Sequence, residues 1–246
     1  MLSPALRKTL LVVAVLFALA APASQALFDW GLSQEEFAED GNETLRAAGY
    51  AFSIWGLIYA GLAGHAAFSL FAKARQEPLM RALSPAIIAI FGCGAWIVAS
   101  AMDWKWASVA IIVVSAASAW RALDQAKDAR ASLVERLFNS WPVALLGGWL
   151  LTAAALNILT VATGAGLIGS AAATPAALTG IVAVAALAIL VMLRGVTAVY
   201  GVPVVWGLFA IFIAEQPSQP VSAYAAGAAA AVGATVAGVM AVLRMR

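Results

Sequence analysis

Aromatic and amide side chains at helical spacing are the residues of this chain best suited to chemistry. In the stretch Gly49-Tyr50-Ala51-Phe52-Ser53-Ile54-Trp55-Gly56-Leu57-Ile58-Tyr59, the rings of Phe52, Trp55 and Tyr59 fall at steps of three and four residues. That spacing puts them on one face of a helix. Trp149 and Asn157 are eight residues apart, a little over two turns, so they share nearly one side of another helix. Flat indole and phenol faces can stack against a large planar ring. An amide such as Asn157 deep in an apolar run must find a protein partner, because hydrocarbon offers none.

The remaining reactive types are few. One cysteine, Cys93, excludes an internal disulfide and a Cys-based metal cluster; beside Gly92 and Gly94 it reads as a small packing residue. One histidine, His65, excludes a multi-histidine metal site and a haem held by two histidines. His65 reads as a hydrogen-bonded packing residue, with a single axial haem ligand as the alternative. No nucleophile, base and acid come together in the pattern, and no charged relay runs through an apolar stretch, which argues against a proton-coupled pump.

The elements that position these residues follow from composition. Of 246 residues, 64% are hydrophobic and 11% charged, and the mean hydropathy is +0.94. Soluble domains carry about 45–50% apolar and about 25% charged residues. The excess excludes a soluble enzyme, a nucleic-acid binder and a disordered regulator, and the net charge of +2 gives no reason to expect a nucleic-acid partner. Eight apolar stretches are long enough to span a bilayer: approximately 9–28, 49–72, 84–102, 106–122, 138–162, 176–194, 196–214 and 221–243. The runs are continuous and do not alternate, so strands are not expected. The predicted fold is all-α, a polytopic transmembrane bundle of about eight spans.

Charge placement orients the bundle. With the N-terminus in the cytoplasm, the inside segments hold Arg7, Lys8, Lys73, Arg75, Arg81, Arg121, Lys127, Arg130, Arg136, Arg194, Arg244 and Arg246, which is 12 of the 14 basic residues. Eight of the 12 acidic residues, including Glu35, Glu36, Glu39, Asp40 and Glu43, fall outside. Both termini are thus expected to be cytoplasmic. Residues 1–26 also read as a signal peptide ending at Ser24-Gln25-Ala26; an uncleaved first helix is the preferred reading.

The acidic stretch from Phe28 to Gly49, with Trp30 and Phe37, is expected to form a short amphipathic helix or lid. The segment 163–175 reads as a flexible, chemically silent loop between a Trp-rich unit, residues 1–163, and an Ala-rich unit of three helices, residues 164–246. Asp103 and Lys105 read as a solvated pair, and Glu215 as a side chain reaching water from a helix end. Trp30, Trp104, Trp106 and Trp141 read as interfacial anchors. Gly227, Gly233 and Gly238 among many alanines suggest close helix contact and a homo-oligomer.

These motifs resemble the TspO/translocator family, also known as tryptophan-rich sensory proteins or peripheral benzodiazepine receptors. The family's helix-two pattern is matched by Gly49-Tyr50-Ala51-Phe52, Trp55 and Tyr59, and its helix-five pattern by Trp149 and Leu156-Asn157. Trp96 stands where the family also places a Trp. The resemblance covers roughly residues 5–163 and suits a long bacterial branch with extra C-terminal helices. It departs from the family at Ala47-Ala48-Gly49, where a Pro-Pro pair is usual, and at Gly92-Cys93-Gly94, where helix three usually carries Gln and Asn.

The resemblance implies a five-helix bundle with a hydrophobic pocket near one membrane face, binding porphyrins and other tetrapyrroles, sterols or synthetic aromatic ligands. On that basis the expected site comprises Tyr50, Phe52, Trp55, Tyr59, Trp96, Trp149 and Asn157. The expected role is a receptor or carrier for a planar hydrophobic ligand in a bacterial inner membrane. It would have no catalytic residues and no metal, and no cofactor other than a bound porphyrin- or haem-type ligand. The partners would be the lipid bilayer and that small molecule. Three alternatives stand beside it: a small-solute or lipid transporter using a helix break at Pro203, a membrane enzyme acting on tetrapyrroles, and a structural subunit.

Overall fold

The computed structural model describes residues 3–71, 77–127, 131–195 and 197–243. Lys73, Arg75, Arg130, Arg244 and Arg246, part of the charge pattern above, lie outside the described residues. Among the described residues there is no strand, and eight helices are long and apolar enough to cross a membrane. They are α1 (Pro4–Phe28), α2 (Gly49–Phe71), α3 (Met80–Ala101), α4 (Lys105–Gln125), α5 (Leu133–Gly164), α6 (Ser170–Leu193), α7 (Ala198–Glu215) and α8 (Pro220–Leu243). The apolar runs locate the spans and local capping extends several of them. Ser3 accepts the Leu6 N–H at 3.2 Å ahead of Pro4, so α1 starts earlier than its apolar run. Ser132 and Glu135 form a capping box that starts α5.

Helices α1 to α5 close a ring in the spatial order α1, α3, α4, α5, α2. Helices α6, α7 and α8 pack on one another and form a layer against the outer side of α5. Two apolar cores result. The ring core includes Leu11, Ile58, Leu62, Ile90, Leu146 and Trp149. The layer core includes Val143, Ile181, Met192, Val204, Leu208 and Ile211. Helix α5 contributes to both, so it is apolar on all sides and is the most buried span. In lipid the packing of small residues, not removal of apolar surface from water, holds helices together. Gly148 shows this at the seam: a Cβ there would lie 2.2 Å from the Tyr200 carbonyl oxygen and 2.7 Å from Pro203 Cγ.

The start of α5 shows how a proline is accommodated at depth. Pro142 has no N–H to give the Phe138 carbonyl four residues earlier. The chain widens into a π turn over Arg136–Ser140, with the Trp141 N–H reaching the Arg136 carbonyl. The Phe138 carbonyl instead receives His65 Nδ1 from α2 at 3.0 Å. His65 is 1% exposed, and its Nε2 has no hydrogen-bond partner among the described residues. Its ring therefore ties α2 to α5.

Two expectations are corrected. The segment after α5 is short: α5 runs to Gly164 and α6 begins at Ser170. Helix α7 opens with a 3-10 turn, Ala198–Tyr200, and Pro203 lies in the first turn of the α-helical part that follows, Gly201–Glu215, where a missing N–H breaks no α-helical bond, so the helix break invoked for a transport path is not formed. Residues Ser24-Gln25-Ala26 are helical within α1, whose Leu11, Ala14, Val15 and Ala18 enter the ring core.

Candidate functional site

The site is built at one end of the ring, where the segment between α1 and α2 folds back over α3, α5 and α7. Asp29 caps α1 with φ +49°, and Gly31, at φ +68°, passes so close to Ala101 that a side chain would strike its carbonyl oxygen. The Leu32 N–H donates to that same carbonyl at 2.9 Å. A short helix, Gln34–Ala38, then forms because Ser33 and Glu36 make a capping box. The Ser33 N–H and hydroxyl hold the Glu36 carboxyl below the usual carboxylate range. The helix turns Phe37 inward, 3% exposed, edge-on to Trp96 at 6.2 Å. Further along, Gly41 packs on Thr160 of α5, and Thr44 and Thr163 share a hydroxyl bond of 2.6 Å. Asp40 takes Lys105 Nζ at 2.6 Å and Asp103 stands 3.9 Å from it, so the expected Asp103–Lys105 pair is present and is joined by a closer contact between α4 and the loop.

Beneath this roof lies a cavity of about 490 Å³. Its aromatic wall is Phe37, Phe52, Trp96 and Trp149, with Ala153 and Leu156 between them. Its polar points are Asn157 and Thr160, and its rim carries Gln34, Glu35, Glu39, Asn42 and Arg46. Asn157 is 4% exposed and has the partners its depth requires. Its Nδ2 donates to Ser108 Oγ of α4 at 3.0 Å, and its Oδ1 accepts Trp96 Nε1 of α3 at 3.3 Å. The amide thereby fixes the angle of the Trp96 indole, and three helices set one wall.

Of the seven residues expected at the site, Phe52, Trp96, Trp149 and Asn157 line the cavity. Trp149 is the hub of an aromatic chain: Phe52 meets it edge-on at 6.3 Å and Trp55 at 6.1 Å. Trp55 stacks in turn on Tyr59 at 5.0 Å. Trp55 and Tyr59 thus stand behind the wall, farther down α2. Tyr50 turns the other way, half-exposed, and meets Trp206 of α7 edge-on at 5.3 Å. The first turn of α2, Gly49–Ser53, is a 3-10 turn, and the Trp206 indole N–H holds it through the Ala51 carbonyl at 3.0 Å. On that side a second hollow of about 610 Å³ is lined by Ile54, Leu57, Val202, Val205, Trp206 and Phe209, with Ser53 at its edge. Trp104 and Trp106, expected as anchors, are both more than half exposed.

Sequence reasoning left Phe37, Leu45 and the Arg46–Gly49 strip out of the site. The Ser33-Gln34-Glu35-Glu36 capping pattern followed by a lone aromatic was the available signal for Phe37. The expectation for Glu215 is corrected: its side chain is wholly buried, not in water. Its Oε1 accepts the Arg46 main-chain N–H at 2.7 Å, and its Oε2 accepts the Ser218 hydroxyl at 3.1 Å.

Comparison with curated proteins and with solved structures gives no match. The family model described as TSPO-like protein matches residues 8–239, from α1 into α8. The chain therefore belongs to the TSPO-like protein family, as an integral membrane protein of that family with eight candidate spans.

Proposed function

We propose that the roofed cavity binds a planar hydrophobic ligand of the tetrapyrrole class and that the protein acts as a receptor or carrier for it. The observation that carries this reading is the cavity wall, where Phe37, Phe52, Trp96 and Trp149 present aromatic surface around about 490 Å³, with Asn157 as a polar point. A space of this size falls in the range of small-molecule sites, which combine an apolar lining with a few placed polar groups. Aromatic faces offer stacking, and the Asn157 amide offers hydrogen bonding to a carbonyl or carboxylate edge of a ring substituent. No bond is made or broken in this role; binding changes the roof, or the ligand passes on intact.

The charge pattern supports placing the roof outside the cytoplasm and the basic helix ends inside; the resemblance described above makes a bacterial inner membrane the proposed setting. The small residues on the open face of α8 suit self-association.

Titration of the detergent-solubilised protein with protoporphyrin IX tests the reading through quenching of tryptophan fluorescence. Trp149→Ala and Trp96→Ala should each weaken binding by tenfold or more, about 1.4 kcal/mol or more. Trp104→Phe, at the exposed turn before α4, should leave the affinity unchanged. Equal affinity in all three variants would sink the assignment.

A further inference from the structure

We infer that Glu215, at the end of α7, is a positioning residue for the cavity roof, and that the three-helix layer thereby governs how fast the cavity opens. The inference rests on the cavity being the ligand site. It begins with a backbone problem. Residues 45–48 cross the cavity with no regular secondary structure, and Leu45, Arg46, Ala47 and Ala48 line it. The Leu45 N–H turns back to the Gly41 carbonyl at 3.0 Å, but the next N–H groups have no helical turn to join, and at the edge of an apolar bundle unpaired groups are costly. The missing acceptors come from α7. The Arg46 N–H donates to Glu215 Oε1 at 2.7 Å, and the Ala48 N–H donates to the Ala210 carbonyl at 3.2 Å.

Side chains repeat the pattern. The Arg46 guanidinium donates to the Ala214 carbonyl at 3.2 Å and to Ser218 Oγ at 3.3 Å, and its Nε lies 3.7 Å from the buried carboxylate. Gln219 Nε2 donates to the Glu43 carbonyl at 3.1 Å. Residues 43–48 are thus fastened along 210–219, and Ala214 itself lines the cavity. An acceptor alone would satisfy one N–H; a carboxylate gives a shorter, charge-assisted bond and also holds the arginine. A wholly buried carboxylate cannot trade these donors for water, so the strip stays down until several contacts break together. On the α7 side the cavity is bounded by this strip and by Ala214.

The test has a ligand-free arm and a ligand arm. In a Cys93→Ala background, Ala47→Cys reports roof opening by its rate of reaction with a water-soluble maleimide. Glu215→Ala should raise that rate about tenfold or more, as truncating one side of a buried charged pair does for release rates. Glu215→Gln keeps an acceptor and loses the charge; Arg46→Ala keeps the main-chain bond and loses the guanidinium. Both should fall between wild type and Glu215→Ala, and should carry the comparison if Glu215→Ala does not accumulate. In the ligand arm, stopped-flow release of protoporphyrin IX should accelerate in the same order. A residue that only stabilised the fold would lower Tm and leave both rates of the folded fraction unchanged, which would overturn the inference. If labelling follows the order while wild type binds no protoporphyrin IX, the roof assignment stands and the ligand reading falls.

Discussion

The ring and the layer are built from the same apolar stock but differ in what they do with it. The ring gathers Phe52, Trp55, Tyr59, Trp96 and Trp149 around its interior and leaves a cavity at one end. The layer interleaves Ala, Val, Ile and Leu into its core; of its aromatics, Tyr200 and Trp206 point back at α5 and α2, while Phe209, Phe212 and Tyr224 meet one another within the layer. Space that can hold a ligand arises where bulky rings meet and cannot fill every gap. The layer's contacts with residues 43–51 place it against the cavity roof. The family match, residues 8–239, spans both regions.

Three substitutions separate the two regions. The largest effect is expected from Gly148→Val at the seam. Its Cβ would meet a backbone carbonyl at 2.2 Å, which no rotamer relieves. The layer must move off α5, at a cost of about 3 kcal/mol or more, visible as a lower Tm in detergent and faster maleimide labelling of the roof. Asn157→Leu should damage the ring and spare the layer. It strips Trp96 Nε1 and Ser108 of a partner and should cost about 1–2 kcal/mol, with weaker protoporphyrin binding and little change in roof labelling. Lys105→Ala should be smallest. It removes a half-exposed pair with Asp40 and should cost less than about 1 kcal/mol, an effect that rising salt should shrink further.

Acid provides a related test of the roof alone. The Glu36 carboxyl is held below its ordinary range, so its contribution is complete at neutral pH and is lost as pH falls through the folded value. Amide protection in Gln34–Ala38, taken as exchange relative to the intrinsic rate at each pH, should therefore fall on acidification, and Glu36→Gln should remove that dependence.

The eight spans were legible because continuous apolar length is a strong signal, whereas the capping boxes at Ser33 and Ser132 enter only with the structure. The aromatic face of α2 was legible only in direction. Residue spacing gives the angle around a helix, but not which turn stands level with a cavity. Phe52 therefore reaches the cavity, while Trp55 and Tyr59 sit below it on the same side. Tyr50 escaped the pattern because the chain enters α2 through a 3-10 turn, which rotates that residue toward Trp206. Glu215 was misread for a different reason. A carboxylate at a helix end normally finds water, and its partner Arg46 lies 169 residues away in sequence. No local pattern carries such a pair.

The central claim is that a ligand sits between the aromatic wall and a roof strip fastened to α7. Hydrogen–deuterium exchange with and without protoporphyrin IX tests it most directly. The account predicts ligand-dependent protection confined to residues 34–49, to the Trp149–Thr160 stretch of α5 and to the end of α7 near Ala214. Protection elsewhere only, or none on saturation, would contradict it.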